Sequence, residues 1–187
     1  AAELTRDLIR EGANVRVVMT EGACEFITPL TMQALSGHDV HMDLLDTDAE
    51  AAMGHIELAR WADVMVIAPA SADSIARLVQ GRANDLLGAC VLATPAPLFI
   101  APAMNQEMWA KKATQDNIKV LNDRGATVLG PSSGSQACGD VGAGRLVEPA
   151  LIVEAITETL GTGLLAGRHV VITAGPTREP ICPVRYI

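Results

Sequence analysis

The chain has 187 residues, a formal net charge of −8 and a pI near 4.9. Hydrophobic residues make up 49%, charged residues 19% and aromatic residues 3%, with a mean hydropathy of +0.26. This composition excludes intrinsic disorder. It also speaks against nucleic acid as a partner, since there is no basic stripe to displace counterions and too few aromatic rings to stack bases.

Leu4, Leu8 and Ile9 share one face of a predicted helix over Ala1–Arg10, stopped by Gly12, and a strand follows over Val15–Met19. A helix feeding a parallel strand predicts another strand before it, with a phosphate-cradling turn upstream of residue 1. Pro29–Ser36 reads as a short helix with proline in its first turn, and Val40–Leu44 as a weak strand. Next come a helix over His55–Ala62, a buried strand over Asp63–Ala68 and a helix over Ser71–Gln80 capped around Ser71. Asp85–Ala93 is predicted helical with Asn84 as its cap, and Leu98–Ala101 a strand. Asn105–Ala110 opens a helix, and Thr114–Arg124 is an amphipathic helix closed by Gly125. A strand at Thr127–Leu129 and a helix at Glu148–Leu160 complete the alternation. Strands alternating with helices predict an α/β protein whose parallel sheet is covered on both faces.

No apolar run reaches the roughly 18 residues of a membrane span. The four cysteines, at 24, 90, 138 and 182, form no CxxC pair, so reduced thiols in a cytoplasmic protein are expected. Two stretches break the alternation. Gly130–Arg145 holds five glycines without hydrophobic periodicity, and its length marks a functional flap. Residues 161–167 read as a linker, after which His169–Ala174 looks like the first strand of a second α/β domain over 168–187.

Three strand exits carry polar residues, and ligands of open parallel sheets bind at the carboxyl ends of strands. At the first, the Thr20 hydroxyl either caps a short helix or helps hold a phosphate, and Phe26 follows as a core or ligand-facing ring. At the second, Ala70-Ser-Ala-Asp-Ser74 puts small residues, two hydroxyls and a carboxylate at one helix start. Ser71 or Asp73 there is either a cap or, for Asp73, an acceptor for a ring N–H or a ribityl hydroxyl. At the third, Pro102-Ala-Met-Asn105 offers an amide that suits a carboxylate or, equally, caps the next helix. Cys138, between Ala137 and Gly139 and near Arg145, is either an acidic thiol able to donate a proton or an inert loop thiol. Cys24 and Cys90 read as packing residues. His55 follows Gly54 at a helix start, where the dipole favours neutral imidazole, a competent base; a surface histidine is the plainer alternative. No metal-ligand spacing is present.

Together, the His55 helix, the PASAD stretch, Pro102-Ala-Met-Asn105 and Ser135-Gln-Ala-Cys138-Gly-Asp-Val-Gly-Ala-Gly-Arg145 resemble the flavin-containing cysteine decarboxylases. The resemblance implies a doubly wound, Rossmann/flavodoxin-like three-layer sandwich over residues 1–160. It implies FMN on Thr20, Phe26, Ala70, Ser71, Ala72, Asp73 and Ser74. It implies His55 as base, Asn105 as the holder of the substrate carboxylate and Cys138 as proton donor, with Met104, Ala137 and Gly139 beside the substrate. The implied reaction is decarboxylation of 4'-phosphopantothenoyl-cysteine to 4'-phosphopantetheine in coenzyme A biosynthesis, within trimers assembled into a dodecamer. Residues 168–187 look like the opening of a phosphopantothenate–cysteine ligase domain, for which CTP and Mg2+ are expected. Cys182 stands where that domain's pattern leads one to expect an acidic residue before Pro183. A flavin-binding regulatory subunit and a flavin prenyltransferase are the alternatives on the same scaffold.

Overall fold

The computed structural model describes residues 1–44, 54–136, 139–161, 168–174, 180–182 and 185–186. In chain order the elements are α1 (Ala2–Arg10), β1 (Asn14–Met19), α2 (Glu21–Cys24), α3 (Pro29–Ser36), β2 (Val40–His41) and α4 (His55–Trp61). They continue with β3 (Val64–Ala70), α5 (Ala72–Val79), α6 (Leu86–Ala93), β4 (Leu98–Pro102), α7 (Gln106–Ala110) and α8 (Lys112–Asp123). The remainder are β5 (Thr127–Val128), β6 (Ser132–Ser135), β7 (Val141–Arg145), α9 (Pro149–Leu160), β8 (His169–Ala174), β9 (Pro180–Cys182) and β10 (Arg185–Tyr186).

Six strands form one parallel sheet in the order β2-β1-β8-β3-β4-β5. Its strands are apolar on both faces because both faces are covered. Val64, Val66 and Ala68 pack with Leu4, Leu8, Met32, Ile152 and Ile156 from α1, α3 and α9. Met65 and Ile67, pointing the other way, pack with Leu58, Ile75, Leu87 and Ile118 from α4, α5, α6 and α8. The three-layer sandwich expected from the alternation is present.

Three local expectations change. The weak strand of Val40–Leu44 is only Val40–His41, an edge strand in partly exposed sequence. Asp85, not Asn84, caps α6: its Oδ1 accepts from the Gly88 N–H at 2.8 Å, while Asn84 is exposed and lies one residue too early. The glycine-rich stretch, which shows no hydrophobic periodicity, nevertheless carries regular structure: β6 pairs antiparallel with β7 in a hairpin. Its small residues hide the period-2 pattern that usually betrays a strand.

The strand read as the opening of a second unit, His169–Ala174, lies in the middle of this sheet, paired with both β1 and β3. Val170 and Ile172 face one layer and Val171 the other, and all three are buried. A strand apolar on both faces needs a slot covered on both sides, and the gap between β1 and β3 provides one. At its start, His169 stacks on Trp61 with ring centroids 4.1 Å apart, and its backbone N–H donates to Asp63 Oδ2 at 2.9 Å.

Candidate functional site

Every strand of the main sheet runs in the same direction, so the exits of β1, β3 and β4 lie along one edge. Thr20 leaves β1 and caps α2, its Oγ1 accepting from the Ala23 N–H at 3.3 Å. Ser71 leaves β3 and caps α5, accepting from the Ser74 N–H at 3.1 Å, with the two hydroxyls 3.0 Å apart. Asn105 leaves β4 and caps α7, its Oδ1 accepting from the Glu107 N–H at 2.8 Å. The capping reading of all three is therefore realised. A cap uses only part of a side chain's hydrogen-bonding capacity, and binding needs the rest.

A cavity of about 460 Å³ opens between the first two exits, lined by Thr20, Asp73, Ser74, Arg77, Asn84 and Asp85 among others. That is within the size range of small-molecule sites. Thr20, Asp73 and Ser74 are among the residues expected to bind a cofactor from sequence, whereas Arg77, Asn84 and Asp85 are not. Arg77 Nη2 donates to Asp85 Oδ2 at 2.6 Å and to Asn84 Oδ1 at 3.2 Å, while its Nη1 lies 3.7 Å from Asp73 Oδ2. One guanidinium thus ties the 80–85 loop to α5 and builds the cavity wall. The Arg-to-Asp spacing across a loop carries no helical or strand period, so only the fold reveals it.

Charge sorts what this cavity accepts. Among the described lining residues, Glu21, Asp43, Asp73 and Asp85 face a single cation, Arg77, which is paired with Asp85 and Asp73. Such a surround repels a phosphate dianion. It suits donors instead: the hydroxyls of a sugar alcohol chain and the N–H of a heterocycle. This set of acceptors fits the polyol and ring of a flavin nucleotide better than its phosphate.

The other expected cofactor residues stand apart from this lining. Ala70 is fully buried at the end of β3, and Ser71 and Ala72 are half-buried at the start of α5. Phe26 is exposed, which corrects its reading as a core ring. His55, half-buried, opens α4, and its carbonyl accepts a long contact of 3.7 Å from Cys90 Sγ. His55 and Asn105 do not line the cavity. Ala137 and Cys138 lie outside the described residues; Gly139 beside them is exposed with φ +89°.

The hairpin is locked onto the β4 exit. The Met104 N–H donates to the Gly144 carbonyl at 2.9 Å. A Cβ on Gly144 would collide with the Met104 carbonyl, and one on Gly142 with Gln106 Oε1. Gly144, which faces backbone, is therefore required by close approach, whereas the Gln106 side chain at Gly142 can turn aside. Met104 is buried beneath this contact.

The remaining thiols support their packing role. Burial pushes the Cys90 thiol up to about 12, with Asp85 adding to the effect. Burial also raises Cys24, helped by Glu25 and Glu21. Neither is a nucleophile near neutral pH. Among the described residues no cluster of His, Cys, Asp and Glu could hold a metal ion, and no helix is long and apolar enough to cross a membrane.

The Flavoprotein family profile matches residues 1–161, and the chain belongs to that family. The profile of the DNA/pantothenate metabolism flavoprotein C-terminal domain matches residues 165–187. Among curated relatives, the coenzyme A biosynthesis bifunctional protein CoaBC of Vibrio cholerae is 58% identical over all of this chain and 47% of its own length. The protein of the same name from Escherichia coli K12 is 56% identical over 99% and 46%. The chain thus spans about half the length of the curated relatives it matches. Among solved structures, a cysteine-to-serine mutant of PPC decarboxylase complexed with pantothenoylaminoethenethiol superposes with a TM-score of 0.73 at 30% identity, covering 86% of this chain and 93% of that one. The FMN binding protein AtHal3 gives 0.69 at 34% identity, covering 83% and 86%.

Proposed function

We propose that this chain is the FMN-dependent decarboxylase portion of a bifunctional coenzyme A biosynthesis protein. It converts 4'-phosphopantothenoyl-cysteine to 4'-phosphopantetheine. The observation that carries this reading is the convergence of Thr20 from the β1 exit with Asp73 and Ser74 from the β3 exit on one cavity of acceptor-rich lining, in a chain of the Flavoprotein family.

When bound, FMN supplies the electron sink that a cysteine carboxylate lacks. Thr20, Asp73 and Ser74 hold its polyol chain and ring, with Ala70, Ser71 and Ala72 letting the backbone come close. The phosphate is seated away from the acidic wall. Asn105 donates from its amide nitrogen to the substrate carboxylate, and Met104 and Gly139 shape the space around it. His55 accepts the proton of the substrate thiol. Cys138, flanked by Ala137, returns a proton to the decarboxylated carbon, and closure of the hairpin excludes water.

His55 and Asn105 lie outside the cavity lining, and Phe26, Met108 and Val141 are exposed apolar side chains. Both features favour a site completed by a neighbouring copy, within trimers that build a dodecamer. The unpaired thiols of Cys24 and Cys90 go with a cytoplasmic setting. The match over residues 165–187 supports reading 168–187 as the opening of a ligase half that joins cysteine to 4'-phosphopantothenate with CTP and Mg2+.

The test is FMN dependence. Full-length protein stripped of flavin should be inactive on 4'-phosphopantothenoyl-cysteine and regain turnover as FMN is titrated back. Turnover indifferent to FMN, or a protein that takes up none, refutes the proposal; FMN uptake without turnover leaves a flavin-binding module in its place.

A further inference from the structure

Three acceptor side chains of the cavity wall are gathered by one guanidinium. Arg77, half-buried in the last turn of α5, donates from Nη2 to Asp85 Oδ2 at 2.6 Å and to Asn84 Oδ1 at 3.2 Å. Its Nη1 lies 3.7 Å from Oδ2 of Asp73, in the first turn of the same helix. The other oxygen of Asp85 accepts from the Gly88 N–H at 2.8 Å and caps α6. Backbone contacts close the same loop. The Arg82 N–H donates to the Arg77 carbonyl at 3.1 Å, and a Cβ on Gly88 would collide with the Arg82 carbonyl. The loop over residues 81–85 is therefore tied to α5 and α6 through one guanidinium and one carboxylate. Asp73, Asn84 and Asp85 all line the cavity, and their oxygens crowd together only because a planar cationic fork sits among them.

As the single cation among the described lining residues, Arg77 is the obvious anchor for a ligand phosphate. Its pairing argues against that role, because two carboxylates already balance its charge. We propose that Arg77 is a positioning residue for flavin binding: it holds the acceptors of Asp73, Asn84 and Asp85 in one wall and does not bind the flavin phosphate. The inference rests on the proposed seating of the flavin polyol and ring in this cavity.

The experiment uses full-length protein stripped of flavin and measures dissociation constants for FMN and riboflavin by quenching of flavin fluorescence. Riboflavin has the same ring and polyol and no phosphate. Arg77→Met removes the fork and should weaken both ligands about tenfold, with their ratio within about twofold of the parent. Arg77→Lys keeps the charge as a point donor that cannot serve three partners at once. It should weaken both about threefold, again at a constant ratio. If Arg77→Met fails to fold, Arg77→Lys alone decides. Loss of FMN affinity with riboflavin affinity kept means a phosphate contact and overturns the proposal. A lower melting temperature with both constants unchanged makes the ion pair a matter of stability alone and also overturns it. So does a parent protein that binds FMN but no riboflavin, since its phosphate rather than the acceptor wall would then hold the ligand. Asp73→Leu, which takes an acceptor off the wall, separates the two readings. If it weakens flavin binding while the Arg77 variants do not, only the role of Arg77 falls. If neither does, the cavity is not the flavin seat and both readings fall.

Discussion

At the scale of single residues, Asn105 is a capping side chain engaged through both ends of its amide. Its oxygen serves Glu107 and its nitrogen faces Gln136. Asn105→Asp would keep the cap but place a carboxylate oxygen against Gln136 Oε1 and against the incoming substrate carboxylate. Like charges in a partly desolvated site cost several kcal/mol, by the logic that separates paired carboxylate pKa values. Steady-state kinetics should show kcat/KM down by about 100-fold or more, with flavin content close to the parent. Full turnover in that variant would make Asn105 a cap and nothing more. Cys90 supplies a pH test. Its thiol ionises near 12 in the folded chain against an ordinary 9.0. The folded state therefore keeps a proton that the unfolded chain loses first. The stability this contributes is present below pH 9 and is lost between about 9 and 12. Native protein should resist alkylation at Cys90 at pH 8.5 and react once denatured; rapid native labelling there would contradict the burial.

At the scale of elements, the helices and long strands were legible because their apolar spacing is regular. Leu4 and Leu8 identify α1, and the unbroken run from Val64 identifies β3. The hairpin was not legible: four small residues, Ser132–Ser135, pair with a strand holding two glycines, and neither strand alternates apolar with polar. Its glycines answer to the neighbouring turn rather than to their own strand. Gly144→Ala tests that. Overpacking against the Met104 carbonyl should cost about 1–3 kcal/mol, seen as a lower melting temperature. A variant with parental stability would show that the hairpin can move off Met104 freely. The cap of α6 was misassigned by one residue, because Asn84 and Asp85 are both favoured caps and only the Gly88 N–H distinguishes them.

At the scale of the molecule, alternating strands and helices were enough to predict a parallel sheet covered on both sides. They could not predict strand order. β8 is last among the sheet's strands in sequence yet central in space, and local pattern holds no information about which strand fills a gap. The cavity was half legible. Thr20, Asp73 and Ser74 sit at strand exits, where position alone raises suspicion, whereas Arg77 reaches the cavity through an ion pair with Asp85 that no spacing rule announces.

The proposed activity of this fold is removal of the carboxyl group of a cysteine conjugate. The most direct measurement gives full-length, FMN-loaded protein 4'-phosphopantothenoyl-cysteine labelled at the cysteine carboxyl carbon and follows labelled carbon dioxide alongside the remaining organic product. One labelled carbon dioxide should appear for each 4'-phosphopantetheine formed, with the flavin back in its oxidised state at the end. Flavin-loaded protein that releases no label from this substrate would contradict it.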